Sequence, residues 1–239
     1  MLMNMTQFNG AFGCAWCEAE GEVVEKGQGQ ARVYPAIVGT TWSHESFLHH
    51  SEKVEKQGAP SPGVKGASIF LGLPFFNFAS GFVVDYMHAV CSGFVRSTAI
   101  MWFKGRSGQH YHLGSFMSEI DMKLKALLPI WEISRLPRSL KDMQFWKSSE
   151  WGSWMLFYSP VVLKRFLPKK YFDNWLKFVH IMHFLLSRSV LLDSLPQVKR
   201  AMTAFLKEFE ALYGQVNITY KTHLLLHLVD IVRYLSIYL

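Results

Sequence analysis

The sequence predicts a mainly α-helical protein in which a short α/β segment precedes a longer helical half. One observation is the apolar, β-branched run at residues 82–84, which is typical of a short buried strand and ends at Asp85. The second is that apolar residues after residue 115 recur at helical spacing between prolines. We therefore expect a cysteine-containing knuckle and polar loop at 1–66, the α/β segment at 67–114 and a helical domain at 115–239.

The first half of the chain changes character several times. Residues 1–35 contain a C-x-x-C pair among glycines, which indicates a loop-rich knuckle with short strands. Residues 36–66 are polar and rich in Gly and Pro, so we expect a loop. Residues 67–84 predict one or two short strands, 86–103 a helix and 104–114 a glycine-containing turn.

The second half is predicted to be a series of helices with apolar faces that can pack against one another. Prolines and capping residues divide it. The expected helices cover residues 115–128, 141–159, 161–166, 170–189, 195–213 and 222–237.

Composition limits the class of protein. The chain has 239 residues, of which 50% are apolar and 15% aromatic, enough for a substantial core and too apolar for general disorder. Its net charge of +7 suits a polyanion such as DNA, although many other basic proteins share it. Three cysteines favour a reduced, intracellular compartment over a disulfide framework. No apolar run of about 20 residues is present, so no membrane partner is expected, and no motif for a small-molecule cofactor is evident.

Asp85 and His88 form the first candidate site. A carboxylate at a strand end, with a histidine one helical turn later, can bind Mg²⁺ through its oxygens. The alternative is that Asp85 caps a helix beginning at Tyr86 and that His88 packs beneath a sheet. Glu150 is a candidate third carboxylate, although a Glu in the first turn of a helix is also favoured by the helix dipole.

Cys14 and Cys17 form the second candidate site, because two-residue spacing lets both thiolates reach one tetrahedral metal ion. The pair is half of a zinc site, and His44, His49 or His50 could complete it. Two buried thiols are the alternative, and a redox pair is disfavoured because no βαβ pattern surrounds the motif.

Two further histidine pairs occur at helical spacing. His223 and His227 share a helix face, as do His180 and His183. The glutamate of the H-E-x-x-H zinc motif is absent, so we interpret all four as core or half-buried histidines.

Six segments in order resemble the CACTA (En/Spm-type) family of DNA transposases, in the form carried by animal elements. They are spread over the chain from residue 7 to residue 228. They are QFNGAFGCAWC at 7–17, GVKG at 63–66, DYMH at 85–88, SRLPRSL at 134–140, KSSEW with LFY at 147–158, and LYG with TYKTHLLLHL at 212–228.

The resemblance implies a partial RNase H-like core followed by a helical insertion, a nuclear location and DNA as partner, with self-association as a further candidate. It implies Mg²⁺ at Asp85, with His88 and Glu150 as further site residues, and a zinc knuckle at Cys14 and Cys17. Dispersed basic residues are candidate phosphate contacts, although a solvated basic face is the alternative. They are Arg135, Arg138, Lys141, Lys164, Arg165, Lys169 and Lys170.

The chain also departs from the family pattern. The family's first catalytic Asp comes before the QFNG segment, and residues 1–6 contain no carboxylate. The Asn expected before the last histidine block is Lys221. We therefore expect an internal transposase fragment that cuts no DNA by itself. The alternative is a domesticated, non-catalytic domain that binds DNA or acts as a scaffold, and an unrelated metal-dependent hydrolase is disfavoured.

Overall fold

The computed structural model describes residues 3–58, 61–128 and 136–237, and within these residues the protein is mainly helical. This confirms the predicted mainly α class. The chain forms two compact units, one of residues up to Val84 together with residues from Leu192 onward, and one of Asp85–Leu191. The first unit therefore joins the two ends of the sequence, which differs from the three consecutive segments expected above.

The N-terminal part of the first unit contains a β-hairpin and one helix. Strands β1 (Glu22–Lys26) and β2 (Gly29–Val33) pair antiparallel, with Lys26 opposite Gly29. Their two-residue turn needs a positive φ, which Gly27 provides at 65°. Helix α1 (His44–Gln57) begins at a capping box formed by Ser43 and Ser46 and ends at Gly58.

The C-terminal part of the first unit is helical. The amphipathic helix α7 (Leu195–Tyr213) buries Met202, Phe205, Leu206 and Phe209. A short helix α8 (Tyr220–His223), a 3₁₀ segment (Leu224–His227) and α9 (Leu228–Ile237) follow it.

A bridge between the hairpin and the C-terminal chain holds the two parts of the first unit together. The Tyr34 N–H donates to the Ile218 carbonyl at 2.8 Å, and Val33 forms an isolated antiparallel bridge with Thr219. The chain that leads into α8 therefore lies beside the end of β2, which places His223 and the following His227 near the N-terminal knuckle.

The described part of the second unit consists of helices joined by irregular segments, with no strand. A π-helical segment (Tyr86–Val95) continues into α2 (Arg96–Lys104). Trp175 joins several elements of its core, since its ring lies 5.0 Å from that of Trp102 and its indole N–H donates to Ser159 at 2.8 Å. Further elements are α3 (Met117–Ala126), a 3₁₀ segment (Leu140–Phe145), α4 (Ser148–Ser153), a second π-helical segment (Trp154–Tyr158), α5 (Ser159–Val162) and α6 (Lys169–Leu185).

The strand predicted at residues 82–84 is wrong. These residues are in no strand, and the β1–β2 hairpin is the only sheet among the described residues. A single apolar segment has no neighbour to accept its backbone hydrogen bonds, so it packs as irregular chain, with Phe82 against the Phe78 cluster. Asp85 then caps the π-helical segment, which was the alternative interpretation from the sequence.

Asp121 is a buried carboxylate that organises the second unit. It accepts hydrogen bonds from the Leu140 N–H at 2.6 Å and the Ser139 hydroxyl at 2.9 Å, and it pairs with Lys125 at 2.9 Å. Burial alone would raise the pKa of Asp121, but the hydrogen bonds from Lys125, Leu140 and Ser139 outweigh it and lower the pKa. The carboxylate thereby fixes the start of the 3₁₀ segment against α3.

We expect Asp121→Asn to destabilise the protein by about 1–3 kcal/mol at neutral pH, because one of the amide's two positions cannot accept a hydrogen bond. Folding lowers this pKa. The carboxylate therefore contributes its full share to the free energy of unfolding above the ordinary pKa of 3.8, and this share is lost as the pH falls through the lower pKa of the folded protein. Denaturant titrations at neutral and acidic pH should show that the difference in free energy of unfolding between wild type and variant becomes smaller in acid. Asp142→Asn, at an exposed carboxylate of the same unit, is the control, and an equal loss there would contradict the assignment.

Candidate metal centre

Four potential metal ligands converge in the first unit. The Sγ atoms of Cys14 and Cys17 and a ring nitrogen of each of His223 and His227 all lie within 4.8 Å of one another. Cys14 Sγ lies 3.4 Å from His227 Nε2, and Cys17 Sγ lies 3.4 Å from His223 Nε2. The four residues are at most 2% exposed, so the cluster is sealed from solvent.

Three of the six distances between ligand atoms match the edges of a tetrahedron around one ion. With Zn–S of 2.3 Å and Zn–N of 2.0–2.1 Å, tetrahedral coordination places neighbouring ligand atoms about 3.3–3.8 Å apart. The two sulfur–nitrogen distances of 3.4 Å fall in that range, as does the 3.4 Å between His223 Nε2 and His227 Nε2. Two thiolates and two imidazoles are the donors that zinc prefers in closed, four-coordinate sites.

Backbone contacts position the two cysteines. Cys17 forms an isolated antiparallel bridge with Thr41, and the Glu18 N–H donates to the Thr40 carbonyl at 2.8 Å. The indole N–H of Trp42 donates to the Cys14 carbonyl at 3.3 Å. The chain around residues 40–42 therefore braces the turn that carries both thiols.

The two histidines come from the C-terminal helices. His223 ends α8, and His227 ends the 3₁₀ segment one turn later, so both rings point from the same side of the chain. His223 Nδ1 lies 2.9 Å from the Pro35 carbonyl, which can only accept a hydrogen bond. Nδ1 therefore carries the proton, and Nε2 offers its lone pair to the cluster, as metal-bound histidines require.

Aromatic rings enclose the cluster. The Tyr34 ring lies 5.4 Å from the His223 ring, and the Trp16 ring stacks on His227 at 6.1 Å. The Tyr34 hydroxyl donates to the Gly10 carbonyl at 2.9 Å, which secures this wall to the N-terminal chain. The enclosure excludes water and favours a metal ion bound by protein ligands alone.

The electrostatics of the thiols favour a charged sulfur. The hydrogen bond from Cys14 lowers the pKa of Cys17. The same hydrogen bond and burial raise the pKa of Cys14. Burial lowers the pKa of His227, which keeps its ring neutral. Neutral imidazole and thiolate are the protonation states that bind metal.

The histidine ligands predicted from the sequence are not the ones in the cluster. His50 Nδ1 contacts the Ser61 hydroxyl, and His44 Nδ1 accepts from the Phe78 N–H at 3.1 Å. His49 lies beside His50, and the described cluster contains neither. His223 and His227, interpreted above as core histidines, take their place. The signal was present, since C-x₂-C and H-x₃-H are both zinc spacings, but about 200 residues separate them.

The predicted magnesium site does not form among the described residues. Asp85 accepts from the His88 N–H at 3.1 Å and contacts the His88 ring at Nδ1, and the hydrogen bond from that ring lowers the pKa of Asp85. Glu150 instead accepts from Arg138 Nε at 2.6 Å and from the Lys147 N–H at 2.7 Å. The cysteine–histidine cluster is the only described group of three or more candidate ligands.

The predicted phosphate contacts have different environments. Arg138 is held by Glu150, Lys169 pairs with Asp173, and Lys170 lies over the Tyr171 ring. Lys141, Lys164 and Arg165 are exposed, while Arg135 lies outside the described residues.

The chain matches no protein-family model, no curated protein and no solved structure. Among the described helices, none combines the length and the apolar character needed to cross a bilayer.

Proposed function

We propose that this chain is a zinc-binding domain of a transposase-related protein, in which one Zn²⁺ ties the N-terminal knuckle to the C-terminal helices. The observation that carries the proposal is the buried Cys14–Cys17–His223–His227 cluster, whose ligand atoms all lie within 4.8 Å of one another. All four coordination positions are filled by protein, so the ion has a structural rather than a catalytic role.

The sequence resemblance supports the second half of the proposal. The four ligands lie in two of the six segments that resemble CACTA transposases, the one at 7–17 and the one at 212–228. When two segments at opposite ends of a chain build one metal site, both are expected to occur in the same protein. The proposal includes no DNA cleavage, because such chemistry needs two or more carboxylates converging on metal ions.

Zinc content tests the proposal directly. We expect about one zinc per purified chain by elemental analysis, and well below half of that in Cys17→Ser and His227→Asn, because the loss of one of four ligands weakens a closed site strongly. Cys91→Ser and His50→Asn are matched controls, since they change the same residue types outside the cluster. Equal zinc content in wild type and Cys17→Ser would refute the site. A loss of zinc in His50→Asn would instead identify His50 as a ligand, as expected from the sequence.

DNA binding is a second candidate function, and the exposed Lys164 and Arg165 favour it. Neither makes an ion pair with any residue that the structure describes. Each cation that neutralises a phosphate releases counterions, so the affinity should fall steeply with salt.

We expect the double variant Lys164→Ala/Arg165→Ala to weaken duplex binding and to reduce the slope of log affinity against log salt by about 2. Fluorescence anisotropy with a labelled duplex at several salt concentrations measures both effects. Lys56→Ala serves as the control, because that side chain already pairs with Glu52. An unchanged slope would exclude these two residues as phosphate contacts.

A further inference from the structure

A groove of about 630 Å³ lies in the first unit, next to the metal cluster. It is formed by residues 18–22, residues 33–40 and the chain from Lys207 to Gln215. The lining residues that are buried are mostly aliphatic, and most of the exposed ones are polar. The buried ones, at most 5% exposed, are Ala19, Val33, Tyr34 and Ala36.

The groove is locally negative in a basic protein, and we call it the acidic groove. Four glutamates line it against one lysine, although the whole chain has a net charge of +7. Only one of the four has a side-chain partner among the described residues, since Glu22 accepts from Gln215 Nε2 at 3.5 Å. Uncompensated carboxylates around one groove repel each other and attract a cationic partner. The other three are Glu18, Glu20 and Glu210.

The four carboxylates do not converge on one point. Among the described residues, the cysteine–histidine cluster is the only group of three or more candidate metal ligands. The glutamates are therefore too far apart to chelate a single divalent ion. Separated carboxylates instead complement a partner that carries several separated positive charges.

One wall of the groove also presents unused main-chain groups. Gly39 packs against Ala19, where an added Cβ would come within 2.8 Å of the Ala19 nitrogen, so this wall has a fixed position. Ala36 and Ile37 line the groove beside it, and residues 36–39 exchange no backbone hydrogen bond with any residue that the structure describes. An extended peptide can pair with such N–H and carbonyl groups.

We propose that the acidic groove binds an extended, lysine- or arginine-rich peptide segment of another protein. The glutamates pair with the side chains of the segment, and residues 36–39 pair with its main chain. Nucleic acid does not fit, because its phosphates would face carboxylates. The inference rests on the proposed zinc site, since Cys17 directly precedes Glu18 and the His223 ring lies 2.9 Å from the Pro35 carbonyl, so metal ligands hold two segments of the groove.

Fluorescence anisotropy with the full chain and a labelled peptide of alternating lysine and alanine tests the inference. Glu20→Gln/Glu210→Gln should raise the dissociation constant about tenfold, as expected for the loss of two exposed charge pairs, and Lys207→Glu should lower it. Glu45→Gln/Glu55→Gln is the matched control, because it removes two exposed carboxylates of the same unit outside the groove. Absence of wild-type binding at low salt, or equal effects of the two double variants, would overturn the proposal.

Competition identifies what the groove recognises. Spermine carries several positive charges but has no peptide main chain, so it should displace the labelled peptide only weakly. Displacement by spermine as effective as by unlabelled peptide would overturn recognition of a peptide. A wild-type dimer in sedimentation velocity that Glu20→Gln/Glu210→Gln dissociates, without peptide binding, would assign the groove to a second copy of this chain instead.

Zinc content of the same preparations separates failure of this inference from failure of the proposed function. A chain with one zinc that does not bind the peptide would refute the acidic groove and leave the metal site standing. A zinc-free wild type that binds the peptide, with the expected loss in Glu20→Gln/Glu210→Gln, would refute the metal site and support the groove.

Discussion

Removing the metal from the cysteine–histidine cluster is expected to unfold the first unit and leave the second folded. Without the ion, two thiols and two imidazoles remain buried without their shared partner, and the two ends of the chain lose the metal bonds that reinforce the Tyr34–Ile218 hydrogen bond. At a free metal concentration about a thousand times the dissociation constant, the ion contributes about 4 kcal/mol to stability, which is a large fraction of the total for a domain of this size.

Hydrogen exchange with and without a strong zinc chelator measures this effect by region. Amides of β1, β2, α7 and α9 should lose protection, while those of α2 and α6 should keep it. His223→Ala should show the same pattern without chelator, and His180→Ala, at an exposed histidine of α6, should match wild type. Uniform loss across both units would mean that they unfold together, and no loss would contradict a structural role for the metal.

Truncation of Trp175 is expected to be the most damaging single change in the second unit. Its indole is 2% exposed and contacts the rings of Trp102 and Phe178, and it donates to the Ser159 hydroxyl. Trp175→Ala leaves a cavity between α2 and α6 and removes that hydrogen bond. We expect the free energy of unfolding to fall by about 3–5 kcal/mol, as it does when other buried aromatic side chains are truncated.

Denaturant unfolding followed by far-UV circular dichroism measures the loss, and zinc content reports separately on the first unit. Trp175→Phe should cost less than Trp175→Ala because it keeps most of the ring packing. Phe145→Ala, at a ring that is mostly exposed, should change stability by less than about 0.5 kcal/mol. A similar loss in Phe145→Ala and Trp175→Ala would show that burial around Trp175 does not determine the stability of the unit.

The two longest helices were accessible from the sequence because they depend on local spacing, whereas α1 (His44–Gln57) lies where a polar loop was expected at 36–66. The helix expected at 195–213 coincides with α7, and the one expected at 170–189 overlaps α6, which begins one residue earlier and ends at Leu185. In both, the apolar stripe repeats every three to four residues, so the buried face follows from neighbours in the chain. The short segment at 82–84 is different, since strand formation depends on a partner strand that local pattern does not reveal.

For this protein, the sequence by itself determined the mainly helical class and the Cys14–Cys17 half of the candidate metal site, because periodicity and two-residue spacing are local properties. Only the tertiary structure decided which histidines complete the site. His223 and His227 look like core residues in their own helices, and they reach the thiols because β2 and the chain before α8 are joined by hydrogen bonds. A contact between residues about 200 positions apart has no local signal, since it depends on how the whole first unit closes.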